Sequence, residues 1–294
     1  MKKKNTFLYK SLVFIGFAGP ASFCFVMVMI IPFIYGFYLT LTSWDGIASV
    51  KEFVGILNYR TVFQDEQYWH SILLTIVYSL ISVILVNVLA FALAYLVTSG
   101  VKGQNFFRAG FFTPNLIGGL VLGYIWQFIF SRAMVMLGTQ FDIGFLSTSW
   151  LSDPRKAIAA LIIVSVWQYS GFMMLIYIAG LMSVSKDLKE AGVIDGCSKG
   201  QVLRYIVLPQ MRSSFVICLF LSITRCFMTY DLNLSLTEGG PFGSTQMAAM
   251  YVYHQAFVSK DYGVGQAEAV ILFFICAAIS VTQVYLGRKN EEGA

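Results

Sequence analysis

The sequence predicts an all-α membrane protein with six transmembrane helices, and three observations carry that expectation. Of 294 residues, 57% are hydrophobic and only 12% are charged, about half the share of roughly 25% seen in soluble domains. Long charge-free windows recur along the chain, and mean hydropathy is +0.72. Basic residues gather on alternate connecting segments. A chain so poor in charge cannot present a solvated face all round, so it needs lipid as its solvent. A soluble enzyme, a disordered chain and a disulfide scaffold are thereby excluded. The net charge of +5 is modest and scattered, which argues against nucleic acid as a partner.

Crossing roughly 30 Å of hydrocarbon takes about 20 apolar residues. The charge-free windows 11–44, 71–101, 109–131, 157–185 and 269–287 each have room for one helix. They place spans at about 12–41, 71–98, 109–131, 157–183 and 266–287, within a single transmembrane domain covering 1–294. The window 213–236 is apolar but interrupted by Arg225 and Asp231, and is taken as span five. The stretch 239–259 opens with Gly239-Gly240-Pro241 and carries Gly243 and His254. It reads as an external loop with a short interfacial helix. The first span exceeds the roughly 7–15 apolar residues of a removable signal peptide and lacks a clear cleavage site, so it reads as a permanent helix.

Charge asymmetry supports an even number of crossings with both termini cytoplasmic. The inner segments would then hold Lys2, Lys3, Lys4, Lys10, Lys102, Arg108, Lys186, Lys189, Lys199, Arg204, Arg212, Arg288 and Lys289, which are 13 of the 20 basic residues. A seventh span at 239–259 would put Arg288 and Lys289 outside. Of the five cysteines, Cys24, Cys218, Cys226 and Cys276 fall in spans and Cys197 in an inner loop, which does not suggest a disulfide framework.

Several chemistries lack their residues. No G-x-x-x-x-G-K-[ST] phosphate loop is present, so ATP is not bound by that device. Gly263-Val264-Gly265 begins like a dinucleotide fingerprint, but Glu268 stands at the third glycine position. Two histidines, His70 and His254, cannot build a histidine-rich metal site. Neither a catalytic residue nor a metal ligand emerges.

The longest inner connection, 184–212, has its own helical pattern. Ser185 can cap a helix with Asp187 in its first turn. Leu188, Ala191, Val193 and Ile194 give that helix an apolar side, and Gly196 suits its stop. A second short helix begins near Lys199, and Pro209 marks the break before span five. A short helix–turn–helix protruding from the membrane is a part that another protein can grip; by patterning alone, a plain solvated linker fits as well.

This loop resembles the EAA loop of permease subunits of binding-protein-dependent ATP-binding-cassette importers, whose signature is E-A-A, three residues, G, nine residues, I, one residue, L-P. Glu190 and Ala191 match, Gly196 falls on the glycine, Ile206 on the isoleucine, and Leu208-Pro209 on the ending. Gly192 stands at the second alanine. Asp195-Gly196 also resembles the D-G-A of the sugar branch, with Cys197 at its alanine. The likeness to maltose-type and other oligosaccharide permeases extends over nearly the whole chain. It includes Trp44-Asp45-Gly46, Asn58-Tyr59, Thr113-Pro114-Asn115, Trp126, Trp167-Gln168, Tyr230-Asp231, Gly239-Gly240-Pro241 and Thr245. The resemblance implies a type I ABC importer permease fold in a bacterial-type cell membrane. It also implies partners: a second permease subunit forming a heterodimer, two ATP-binding subunits holding ATP and Mg, and an extracytoplasmic solute-binding protein. The chain itself would hold no cofactor and would not be an enzyme.

A sugar pathway should show aromatic faces and hydroxyl-bonding groups at membrane depth. Arg225 lies 13 residues after Arg212, about 20 Å along a helix at 1.5 Å per residue, and a charge there is a functional candidate by default. Asp231 is six residues on, and so not a helical i, i+4 partner of Arg225. Gln168 in mid-span is costly unless hydrogen-bonded. Trp126, Gln168, Arg225, Tyr230 and Asp231 are the pathway candidates, with Asn87 and Gln127 behind them. Two other readings compete. One is the same fold importing a glycerophosphodiester or polyol, and the other is an ion-coupled secondary transporter, which would show repeated halves.

Overall fold

In a computed structural model, the described residues are 2–292, with side chains described for all but 2–8, 12 and 288–292. Lys2, Lys3, Lys4, Arg288 and Lys289, on which the expected placement of the termini depends, thus have side chains outside the described set. The described chain is helical apart from turns, loops and one isolated antiparallel bridge, Thr42 to Phe53. Helix α1 runs over 2–39, passing through a π-helical turn at Val26–Ile30. The others are α2 Leu57–Gln64, α3 Glu66–Thr98, α4 Gln104–Leu116, α5 Gly119–Gln140, α6 Pro154–Ser183, α7 Lys186–Ile194 and α8 Lys199–Gln210. They end with α9 Arg212–Phe227, α10 Asp231–Leu236, α11 Ala248–Tyr253 and α12 Tyr262–Glu292.

Five segments are long and apolar enough to cross a membrane: Tyr9–Leu39, α3, α5, α6 and Tyr262–Gly287. The pair α8–α9, bent by 69° at Met211, makes a sixth if counted as one broken span. This is an all-α, multi-pass membrane protein.

Two expected spans are interrupted where a charge-free window cannot register it. Window 109–131 is not one helix. Its first part belongs to α4, which ends at Ile117 in an extended conformation (φ −82°, ψ 127°), and α5 starts after an extended Gly118. Pro114 lies just before the break, where its missing N–H weakens the last turn. From there α5 runs on past Arg132 to Gln140. Window 213–236 is likewise split, with a non-helical stretch at 228–230 separating α9 from α10.

The chain divides into two units. The first comprises Met1–Asp65 and Val252–Ile271. In it, buried Asn58 donates through Nδ2 to the carbonyls of Thr40 and Thr42, both at 2.8 Å, pinning α2 to the end of α1. The Tyr262 amide donates to the Trp44 carbonyl, and the two rings lie 5.3 Å apart. Asp45 accepts from the amides of Ala48 and Ile47, which hold its carboxyl below the usual carboxylate range. Lys51 donates to the Tyr35 hydroxyl and stands over the rings of Tyr35 and Trp44.

The second unit comprises Glu66–Tyr251 and Leu272–Ala294. Here α6 is the central helix, packed on α3, α4 and α9. The Asp153 carboxylate caps it by accepting from the amides of Arg155 and Lys156, and Pro154 fits its first turn. Two apolar clusters flank α6. One joins Val86, Ala90, Met173, Tyr177 and Leu181 to Val202, Val207 and Met211 near α8. The other joins Tyr78, Leu122, Phe130, Leu161, Leu232 and Met247. Buried polar groups cross-link the bundle. The Tyr177 hydroxyl donates to Asn87 Oδ1 (2.7 Å) and Asn87 Nδ2 donates to Ser222 Oγ (2.9 Å), tying α3, α6 and α9. Asn87 is thus a packing residue. Helix α5 approaches α10 through Gly119 and Gly123, where an added Cβ would collide with Asp231 and Ser235. This is the small-residue contact that lets helix backbones meet in lipid.

Candidate functional site

Two regions of the second unit hold the residues singled out from sequence. The first is the 184–212 connection. Ser185 Oγ accepts from the Asp187 amide at the start of α7. The helix ends in a Schellman turn: Gly196 N–H donates to Val193 O (3.0 Å) and Cys197 N–H to Gly192 O (2.9 Å). Gly196 sits at φ +86°, which a residue without Cβ adopts without strain. Ser198 and Gln201 then form a reciprocal capping box that starts α8.

The apolar residues of α7 do not pack inward. Leu188 is 48% exposed, Val193 59% and Ile194 85%, and Glu190, Ala191 and Asp195 are exposed too. The helix is seated instead by buried Gly192, where a Cβ would meet the tip of Ile206. The apolar side expected for α7 is present but uncovered. Pro209 stands just ahead of the break before α9. It lies inside the last turn, Leu208–Gln210, and the bend comes two residues later at Met211. Proline has no N–H to donate within that last turn, and the helix is capped two residues after it, at Met211.

The second region lies where α4, α5, α6, α9 and α10 meet. Arg225 Nη1 donates to Asn115 Oδ1 at 2.6 Å, and its guanidinium lies 4.7 Å from the Phe172 ring and 5.4 Å from that of Tyr169. A charge-assisted hydrogen bond and two aromatic faces make a cation tolerable in this apolar setting. Gln168 is buried, and its Nε2 donates to the Ile117 carbonyl exposed by the α4–α5 break (3.2 Å). Its Oε1 has no hydrogen-bond partner among the described residues. Gly119, Gln168, Tyr169, Met228, Thr229, Tyr230, Asp231 and Leu232 line a cavity of about 220 Å³. That is smaller than the roughly 300–1,000 Å³ of a complete ligand pocket.

Of the five pathway candidates, Gln168, Tyr230 and Asp231 share this cavity. Arg225 stands beside it, against Tyr169. Trp126 is set apart in an aromatic row, 5.4 Å from Trp167 and 5.3 Å from Phe130. Asn115, Tyr169, Phe172 and Thr229 were not among the candidates. Asn115 had one available signal, an amide directly after a proline inside an apolar window. The glycine-rich turn after α10 is a hydrogen-bonded knot around Asn233, fully buried. Asn233 Nδ2 donates to Thr237 Oγ1 (3.0 Å) and Thr245 O (2.8 Å), and its Oδ1 accepts from the Met247 amide (3.2 Å).

Chemically, the cavity offers carboxylate, amide, hydroxyl and phenol groups beside aromatic faces, a set suited to neutral, hydroxyl-rich solutes. Residues 87–292 match the family described as binding-protein-dependent transport system inner membrane component. A probable starch degradation products transport system permease protein, AmyD, of Thermoanaerobacterium thermosulfurigenes is 40% identical over 291 residues, covering 99% of each chain. The multiple sugar-binding transport system permease protein MsmF of Streptococcus mutans is 32% identical, over 90% of this chain and 92% of its own. Among solved structures, a bacterial ABC transporter involved in import of the acidic polysaccharide alginate contains a chain of the same fold. Its TM-score is 0.80 at 18% identity, over 98% of this chain and 96% of that one.

Proposed function

The chain belongs to the family of inner-membrane components of binding-protein-dependent transport systems, and on that premise we propose that it is one of two permease subunits of an ATP-driven importer of sugars, of the oligosaccharide class. The observation that carries the sugar class is the full-length 40% identity to a permease named for starch degradation products. The hydroxyl-bonding and aromatic lining of the 220 Å³ cavity supports it. Gln168 Oε1 and Asp231 accept from sugar hydroxyls, Tyr230 stacks on a C–H face, and Arg225, held by Asn115, fixes the wall between α4 and α9. Trp126 backs the Trp167 side of that wall.

Transport proceeds by alternating access. Two partner ATPase subunits bind ATP and Mg, and a solute-binding protein delivers sugar from outside. Glu190, Ala191, Asp195 and Gly196 on and after α7, with Gly192 seating it, form the docking element. Ile206, Leu208 and Pro209 belong to α8, which transmits the movement. The lever is covalent: α8 turns through 69° directly into α9, the helix that carries Arg225. A contact equal in both states shifts nothing, so ATPase docking acts by favouring one orientation of this bent pair over the other.

Co-purification from membranes tests the assembly, and uptake by the reconstituted complex tests the solute. Recovery of a second permease and an ATPase, with ATP-dependent uptake of starch oligosaccharides, is the expected result. An isolated chain, or a complex that transports only a glycerophosphodiester or polyol, overturns it.

A further inference from the structure

A second cavity, of about 450 Å³, lies where α3 and α6 end, walled by α7 and α8. It does not belong to the sugar cavity, and its lining has a different character. Three lysines, Lys186, Lys189 and Lys199, border it, and no acidic side chain is among the lining residues. The remaining wall is mostly apolar, with Leu181, Val202 and Val207 at its base and Met182 and Tyr95 exposed at its rim. Lys189 Nζ spends one donor on the Leu181 carbonyl (3.1 Å), and an ammonium has three. Lys186 and Lys199 are exposed.

Position in the membrane narrows the ligand. Helices α3 and α6 are membrane-spanning and stop at Thr98 and Ser183, so the cavity opens where the hydrocarbon ends and headgroups begin. With the 184–212 connection on the inner side, this is the leaflet in which anionic lipids meet basic clusters between helices. A small soluble anion would match the lysines but would leave the apolar walls uncovered. A lipid phosphate with its acyl chains matches both.

We infer that the lysine-bordered cavity at the ends of α3 and α6 binds the phosphate headgroup of an anionic phospholipid, with its acyl chains running along α3 and α6. The bound lipid bridges the two spans to α7 and α8 and so steadies the seat of the docking element. The inference rests on membrane placement and on the inward connection, not on the identity of the sugar.

The test uses the assembled importer in nanodiscs, with lipid retention read by native mass spectrometry after detergent exchange. Phosphatidylglycerol is expected to be retained over phosphatidylcholine. K186Q/K199Q is expected to lower that retention about thirtyfold, at about 1 kcal/mol for each of the two lysines near an anionic surface. K186R/K199R should keep it, which separates lost charge from a misfolded chain. Equal retention of the two lipids overturns the inference, as does unchanged retention in K186Q/K199Q. Displacement of the lipid by millimolar inorganic phosphate would make this a free-anion site and also overturn it. Lipid held by the lone permease but absent from the assembled complex would assign the face to the ATPase and overturn it equally.

Discussion

Helix α7 and the Arg225 cluster depart from the usual placement of side chains in opposite directions. In α7, leucine, valine and isoleucine are turned outward while a glycine is buried. Around Arg225, a cation, two amides and phenolic rings are drawn into a helix bundle. Exposed apolar groups gain free energy only when something covers them, roughly 25 cal/mol per Å². Buried polar groups are retained only where partners or a cavity satisfy them. Under the proposed function one region would be covered by a partner protein and the other would meet a hydroxyl-rich solute, and the bent α8–α9 pair joins them.

The contrast can be broken most forcefully at Gly192. A leucine there would drive into Ile206, and overpacking of this kind costs about 1–3 kcal/mol. G192L should loosen α7 from α8 and lower both uptake and ATPase pull-down, by up to about a hundredfold. Retention of both would mean that α7 is not seated through this glycine. At the other pole, R225A removes a charge-assisted hydrogen bond worth about 1.5–3 kcal/mol, so uptake should fall roughly ten- to hundredfold. The complex should still assemble, because Arg225 is remote from the docking helix in sequence and element. Normal uptake by the fully assembled variant would leave the cluster structural only.

Smaller effects sharpen the comparison. G196V forces a β-branched residue to φ +86°, at a cost of about 1–2 kcal/mol, and weakens the Schellman turn. ATPase stimulation by substrate should drop several-fold, while tryptic digestion should report looser α7 with α9 still protected. Intact coupling would show that the turn tolerates the strain. I194D places a charge on the most exposed of the large apolar residues of α7. Surface changes of this kind alter stability by only about 0.5 kcal/mol. ATPase pull-down should nevertheless weaken about fivefold, as for loss of one apolar contact within an interface. Unchanged pull-down would remove Ile194 from the docking surface.

Local codes made much of the inner connection readable. Ser185, Gly196 and the start near Lys199 are chemical signals of caps and stops, and each operates as a local hydrogen-bond pattern. Charge scarcity likewise announced membrane helices. What escaped was anything set by a second helix. The split at Ile117–Gly118 lies inside an uncharged window, so a count of charges passes over it. Asn115 became the partner of Arg225, 110 residues away, through packing that no spacing rule encodes. Asn233 carries no local signal of its role, yet its three hydrogen bonds fasten the turn after α10.

The sequence by itself determined that this chain lives in lipid, that its apolar windows are helical though not where two of them break, and which loop carries a docking signature. Those properties depend on side-chain transfer free energy and on hydrogen bonds between near neighbours. Only the tertiary structure decided that the apolar face of α7 is left open and that Gln168, Tyr230 and Asp231 share one cavity beside Arg225. It also decided that α8 bends straight into α9. Each of these depends on which helix lies against which, and in a bilayer that choice is made by close packing and a few interhelical hydrogen bonds rather than by hydrophobicity, which every span shares.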